Sequence, residues 1–327
     1  MDLEILWFVL IAVLWTGFFF LEGFDFGVSI LQFFLGKNEK ERGTYISAIT
    51  PHWSGNEVWL LTAGGAMFAA FPRWYATFFS VLYVPLVLLL LALIVRGMCF
   101  EIRHRSRIQK LCHACDIALA VSSFLIAILT SIALTNFAVG IPLDSNGYFI
   151  GHFPDLIHTP ALFGALLGLS LCLTNGALYL TLKIEGELQI RACKISKMAV
   201  ISSLVLFTFA TFLTLGRSLI CIAPLVFILL AAVFVFARCF KIAFVMVALC
   251  TVCSVAGLFF FMYPNVLVSS VPENSLTIMN CASSNYTLEI MSIVAVIFVP
   301  VVLAYQIWSY YIFRKRISSR NIHSSEV

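Results

Sequence analysis

Long apolar runs alternate with short polar stretches from one end of the chain to the other. About 20 consecutive apolar residues suffice for a helix to cross the hydrocarbon core of a bilayer. The pattern predicts nine such spans, at roughly 5–34, 53–71, 74–97, 115–137, 157–181, 197–215, 219–237, 242–263 and 288–313. The first is long enough to be tilted or partly interfacial. Only Gly216-Arg217-Ser218 separates the sixth from the seventh, so that boundary is the weakest. The remaining pieces are short loops and a polar tail over 314–327. No soluble domain or low-complexity segment interrupts the pattern, which predicts a single all-α polytopic membrane domain over 1–327.

The basic residues give the spans a direction. Lys37, Lys40 and Arg42 follow the first span, and Arg96, Arg103, Arg105, Arg107 and Lys110 follow the third. Further Lys and Arg follow the fifth, seventh and ninth. Of the 20 Lys and Arg, only Arg73 and Arg217 fall on the other side. Positively charged loops stay in the cytoplasm, which places the N-terminus outside and the C-terminus inside. The two longest outer loops, about 138–156 and 264–287, lack Lys and Arg and are rich in Pro, Gly, Asn and Ser. They are expected either to cap the helices or touch a partner, or to be solvated connectors.

Composition excludes an ordinary soluble protein. The chain is 61% hydrophobic and 11% charged, where a soluble domain has about 25% charged residues. The net charge of +4 reflects sidedness, with no nucleic-acid patch. Asp2 and Glu4 precede the first span without a basic flank or cleavage site, so that run reads as a mature helix. The ten cysteines are scattered through apolar segments. Two pairs, Cys112/Cys115 and Cys250/Cys253, have CxxC spacing. CHAC is followed by Asp116, so it lacks the histidine of a haem-attachment motif, and one CxxC offers too few ligands for structural zinc. The thiols read as small apolar side chains, and no metal site is expected.

Polar residues inside spans are where chemistry is expected, because a charge at a helix centre costs roughly 2.5–3.5 kcal/mol on insertion scales. Pro51–Arg73 reads PHWSGNEVWLLTAGGAMFAAFPR, with His52, Trp53, Ser54, Asn56, Glu57 and Trp59 at its polar end. Gly64 and Gly65, with Ala63, Ala66, Ala69 and Ala70, are expected to let a neighbouring backbone approach, placing this helix inside a bundle. In the first span, Glu22 and Asp25 are three apart and share a helix face, and Gly23 and Gly27 form a small-residue surface. Two buried like charges repel, which favours keeping one carboxyl protonated, as a proton relay requires. Glu22, Asp25, His52, Ser54 and Glu57 lie at similar depth and are candidates for one cytoplasm-facing inlet, or else for structural bonds to backbone or Arg. Asp116 reads as an acid at a helix N-terminus, and Glu101 as half of a surface ion pair. No histidine falls in the middle of a span, so no axial haem pair is evident.

Several of these stretches together resemble one family. GFDFGV at 23–28, PHWSGNEVWLLTAGGAMFAAFPRWYA at 51–76, RGMCFEIRH at 96–104, TNGALYLTLKIEGELQIRA at 174–192 and SLTIMNCASSNYTL at 275–288 are similar, in order, to subunit II of the cytochrome bd-type quinol oxidases. The resemblance implies two four-helix bundles plus a peripheral helix, in a heterodimer with subunit I in a bacterial inner membrane; some members add a small third subunit. It implies a complex that oxidises quinol and reduces dioxygen to water, taking protons from the cytoplasm without pumping. Two haems b and a haem d, or a b-type variant in its place, are liganded by subunit I, and none by this chain. Subunit II supports that chain, contributes part of a proton inlet and in some members holds a structural quinone.

Residue by residue, Asp25 falls on the family's acid in the first helix and Trp53 on its tryptophan before GN; Trp53 and Trp59 are expected to pack near the partner or a haem. Many relatives read HWDGN, whereas this chain has Ser54 in place of that acid, and Glu57 is the candidate substitute. The compact length favours the branch called cyanide-insensitive oxidase. A proton-coupled secondary transporter and a membrane scaffold are the alternatives. Transporters tend to carry matching Gly/Pro breaks in two repeats, and these spans show none.

Overall fold

The computed structural model describes residues 2–214 and 220–318. Twelve helices account for most of them: α1 Leu3–Leu35, α2 Glu39–Ser47, α3 Trp53–Ala70, α4 Pro72–Val81, α5 Tyr83–Arg105, α6 Gln109–Val139, α7 Thr159–Lys183, α8 Glu187–Thr214, α9 Ile222–Phe236, α10 Phe240–Met262, α11 Ile278–Cys281 and α12 Asn285–Ile312. Among the described residues seven helices (α1, α5, α6, α7, α8, α10 and α12) are long and apolar enough to cross a membrane; α9 is apolar but shorter. The Gly216-Arg217-Ser218 boundary, Arg320 and the end of the polar tail lie outside the described residues.

Three boundaries differ from the hydropathy pattern, each for a local reason. The third predicted span is two helices, α4 and α5, meeting at Leu82. Pro85 has no N–H to give the carbonyl four residues back and its ring crowds that carbonyl, so α5 starts afresh. α8 begins ten residues before the predicted 197, because Glu187, Arg191, Lys194 and Lys197 hide a continuous helix from a hydropathy reading. The loop between the first two predicted spans contains α2, whose N-cap Asn38 accepts a bond from the Glu41 N–H at 2.9 Å, the usual service of a cap side chain.

α1 is the central post, packed against α3, α6, α7 and α10. It passes α7 with almost no space between backbones. A Cβ built on Gly27 would lie 1.9 Å from the Cys172 carbonyl oxygen, and one on Gly176 would lie 2.5 Å from the Gly27 carbonyl carbon. Gly23 is not part of that tight contact, having only Cys172 Sγ near, at 3.9 Å. Next to the crossing, Phe24 stacks on Tyr179 with ring centres 4.4 Å apart. α5 packs on α6, and α7, α8, α9 and α10 pack around one another.

α3 departs from its expected place. It buries only Asn56, Ala63, Met67 and Ala70, and nothing lies within 4 Å of a Cβ on Gly64 or Gly65. Its small-residue face is uncovered in this chain and lines an apolar groove with Leu86, Leu89 and Leu93 of α5. The close approach at the other face is instead between Gly17 of α1 and the Trp59 ring.

The two long loops over 138–156 and 264–287 hold each other. Ile141 bridges to Ser269, the Asn274 amide donates to the Leu143 carbonyl at 2.8 Å, and strands β1 (Asn265–Leu267) and β2 (Leu276–Thr277) pair antiparallel. Ile141, Leu143, Val266, Leu267, Leu276 and Ile278 are buried beneath, so these loops cap one end of the helices. α12 lies outermost and buries only Leu288. Trp7 holds its N-terminal end through the Leu288 carbonyl, and at the C-terminal end the Lys183 ammonium donates to the Phe313 carbonyl, a cation on the negative end of a helix.

Candidate functional site

Polar residues of α1, α3, α5 and α12, buried or half-buried, converge on one place. Arg96 of α5 is fully buried, and its Nη1 lies 3.0 Å from Glu22 Oε2 and 3.3 Å from Glu57 Oε2. Phe26 and Phe100 lie against its guanidinium, at 4.9 and 5.3 Å from the ring centres, which gives the charge aromatic faces in place of water. Its Nε and Nη2 have no hydrogen-bond partner, and neither oxygen of Glu22 makes an aligned hydrogen bond. Glu57 is the one carboxyl of the cluster that reaches the surface, with 19% of its side chain exposed.

Asp25 stands one turn beyond Glu22 and is held by a relay of neutral groups. Its Oδ2 accepts from the Asn56 amide at 2.8 Å. The Asn56 carbonyl oxygen accepts from the Tyr310 hydroxyl at 2.8 Å and the Gln306 amide at 3.2 Å, and Gln306 in turn accepts from the Trp59 indole at 2.9 Å. α12, otherwise barely attached, is fixed to the carboxyl site by these bonds.

The structure brings Glu22, Asp25 and Glu57 together and leaves Ser54 out. Ser54 is exposed while Asn56 is buried. Two residues along a helix is a rotation of about 200°, so Asn56 and Ser54 face opposite ways. His52 is buried but touches no carboxyl; its ring stacks on Tyr310 at 4.1 Å and meets the edge of Phe313 at 5.8 Å, and both ring nitrogens lack a hydrogen-bond partner. Trp53 stacks on Phe100 at 4.9 Å.

Arg96 was the residue that sequence reasoning misplaced, as the first basic residue of a loop. The available signal was its setting: apolar residues precede it and Gly97–Phe100 follow, one to two turns before Arg103. Gln306 and Tyr310 were also missed, two polar groups four apart in an apolar span. Asp116 is not at a helix N-terminus, because α6 begins at Gln109. It is buried and paired with Arg103 Nε, with Arg42 Nη1 3.8 Å away. Glu101 makes the exposed pair expected of it, 3.4 Å from Arg105, of the kind worth little. In α2, Glu41 is held below the usual carboxylate range, first by its hydrogen bonds from Arg191. That contribution to stability is present above the ordinary carboxylate range and is lost as pH falls through the lowered value.

The architecture and this site define a multi-pass helical membrane protein with a buried carboxyl–arginine cluster shared by four helices. The family model described as cytochrome bd terminal oxidase subunit II matches residues 3–313, and the chain belongs to that family. It is 40% identical over 331 aligned positions to the cytochrome bd ubiquinol oxidase subunit 2 of Bacillus subtilis, covering 98% of both chains. It is 32% identical over 371 positions to the cytochrome bd-I ubiquinol oxidase subunit 2 of Escherichia coli, again covering 98% of both. Its fold matches a chain of the bd oxidase from Geobacillus thermodenitrificans with a TM-score of 0.71 and 16% identity, over 95% of this chain and 97% of that one. The protein is a subunit of a terminal oxidase.

Proposed function

We propose that this chain is the partner of a haem-bearing subunit I in a quinol-oxidising, dioxygen-reducing complex, and that its carboxyl cluster passes cytoplasmic protons toward the oxygen-reducing site. One observation carries the second part: two carboxyls, Glu22 and Glu57, share a single guanidinium, and a third, Asp25, is buried one turn from Glu22 on the same helix. Charge balance there is reached by holding an exchangeable proton. Glu57, the exposed member, takes protons up; Glu22 and Asp25 pass them inward; Arg96 keeps the cluster from becoming too acidic or too basic to do so. The chain crosses the membrane nine times in this reading, with α1 and α3–α6 as one bundle, α7–α10 as a second and α12 at the periphery. The N-terminus lies outside, and the membrane is a bacterial inner membrane.

Among the described residues no two buried histidines face one another as an axial haem pair. Among the described residues His52 is the one buried histidine, and aromatic rings pack against it. That supports placing the haems in the partner. Purified alone, the chain is expected to carry no haem, and purified from its native membrane it brings down a haem-bearing chain with quinol-driven oxygen uptake. Stoichiometric haem in the isolated chain would contradict this division.

The geometry also separates two variants. Glu57→Gln removes the exposed acid and is expected to lower turnover several-fold, about one step of roughly 1 kcal/mol in barrier. Ser54→Asp adds an acid on the outward face and is expected to leave turnover unchanged. Normal oxygen consumption in Glu57→Gln would end the case for Glu57 as the substitute for the family's acid.

A further inference from the structure

A second set of buried polar atoms runs away from the cluster along α1. Glu22, Asp25, Ser29 and Gln32 are spaced three, four and three residues apart, so they form one seam of the helix. All four are fully buried, and each has a side-chain oxygen without a hydrogen-bond partner: Glu22 Oε1, Asp25 Oδ1, Ser29 Oγ and Gln32 Oε1. α6 faces this seam and carries two more such atoms, Asp116 Oδ2 and Ser123 Oγ. The two helices run antiparallel, tied at the cytoplasmic end by the Gln32 amide on the Asp116 carbonyl at 2.8 Å and flanked at the outer end by Trp15 against Phe137. Counting from the Gln32–Asp116 contact, Ser123 lies about level with Asp25. The seam from Gln32 to Glu22 is ten residues, about 15 Å of helix.

The serines make the pattern informative. Buried hydroxyls elsewhere in α6 and in neighbouring α7 return to their own backbone: Thr130 donates to the Ile126 carbonyl at 2.7 Å, Ser131 to Ala127 at 2.7 Å, Thr174 to Ser170 at 2.8 Å and Thr181 to Leu178 at 2.7 Å. Ser29 and Ser123 do not. A buried polar atom without a hydrogen bond calls for water or an ion as its partner, and here six such atoms, one of them Asp116 Oδ2 with Arg42 Nη1 3.8 Å away, lie along two facing helices. The cytoplasmic end of the seam has a way in. Asp116 is paired with Arg103, which lines a polar surface cleft of about 750 Å³ with Glu39, Ser106 and Cys112.

We propose that the α1–α6 seam is a water-filled proton path from that cleft to Asp25 and Glu22, with Asp116 at its mouth and Ser29 and Ser123 holding its waters. The inference rests on the proton-inlet reading above and gives it a second entrance, from the cleft beside Arg103 instead of through Glu57. Transfer along it exchanges O–H bonds only: each oxygen takes a proton from the side of the cleft and releases one toward Asp25, and no electron moves.

The test is made on the purified complex with its partner subunit. Ser29→Ala/Ser123→Ala removes both water-holding hydroxyls without adding bulk. Quinol-driven oxygen consumption is expected to fall about tenfold, below the 10²–10⁴ range of a positioned proton-transfer group. The solvent deuterium isotope effect is expected to rise, and the haem spectrum to stay unchanged. A high-resolution cryo-EM map of the unaltered complex is expected to show water within hydrogen-bond distance of both hydroxyls. Unchanged turnover and isotope effect, or a map in which both hydroxyls bond their own helix carbonyls and the seam is dry, would overturn the proposal. If the seam alone is wrong, Asp25→Asn still slows the enzyme; if the inlet reading is wrong, both variants turn over normally.

Discussion

Asp25→Asn is expected to lower quinol-driven oxygen consumption about 100-fold, at the lower end of what a positioned proton-transfer group contributes, with haem content retained. The substitution keeps size and shape and leaves an oxygen to accept the 2.8 Å bond from Asn56, so the relay through Tyr310 and Gln306 survives. What is lost is the ability to take and give a proton at the point where the Glu57 approach and the α1–α6 seam meet. The effect is larger than for Glu57→Gln because Glu57 stands on one approach only. Loss of haem in Asp25→Asn would make Asp25 an assembly residue, and normal turnover would remove it from the proton route altogether.

Arg96→Leu is expected to destabilise the complex by about 3–5 kcal/mol, the usual cost of removing one partner from a buried ion pair. Glu22 and Glu57 would be left facing an apolar side chain, with Glu22 fully buried. The companion variant Arg96→Leu/Glu22→Gln/Glu57→Gln removes the uncompensated charge and is expected to recover much of that loss. Thermal unfolding of the complex, followed by the haem absorbance, measures both. A single Arg96→Leu variant as stable as the parent would show that Arg96 does not hold the carboxyls.

Much of this was legible in the chain, and what escaped did so for identifiable reasons. Apolar runs located α1, α6, α7, α10 and α12 because each is a near-continuous stretch of hydrocarbon side chains. They missed the break between α4 and α5, since Pro85 does not change hydropathy, and the first ten residues of α8, whose charges look like a loop. Glu22, Asp25 and Glu57 stood out as acids in apolar surroundings. Arg96 did not, because a basic residue near a span end is ordinarily a cytoplasmic anchor, and only the contacts of its guanidinium with Glu22 and Glu57 show it turned inward. Ser54 was grouped with Glu57 by spacing alone; the burial of Asn56 between them sets which face of α3 is inside. The α1–α6 seam needed the antiparallel register of two helices eighty residues apart in sequence, which no local pattern carries.

The most direct test is the rate of proton uptake when the fully reduced complex in detergent is mixed with dioxygen, read with a pH-indicator dye alongside haem oxidation. The account predicts that in Asp25→Asn the dye signal slows in step with the late phase of haem oxidation. Uptake at the parent rate would contradict it and place the proton inlet entirely in the partner subunit.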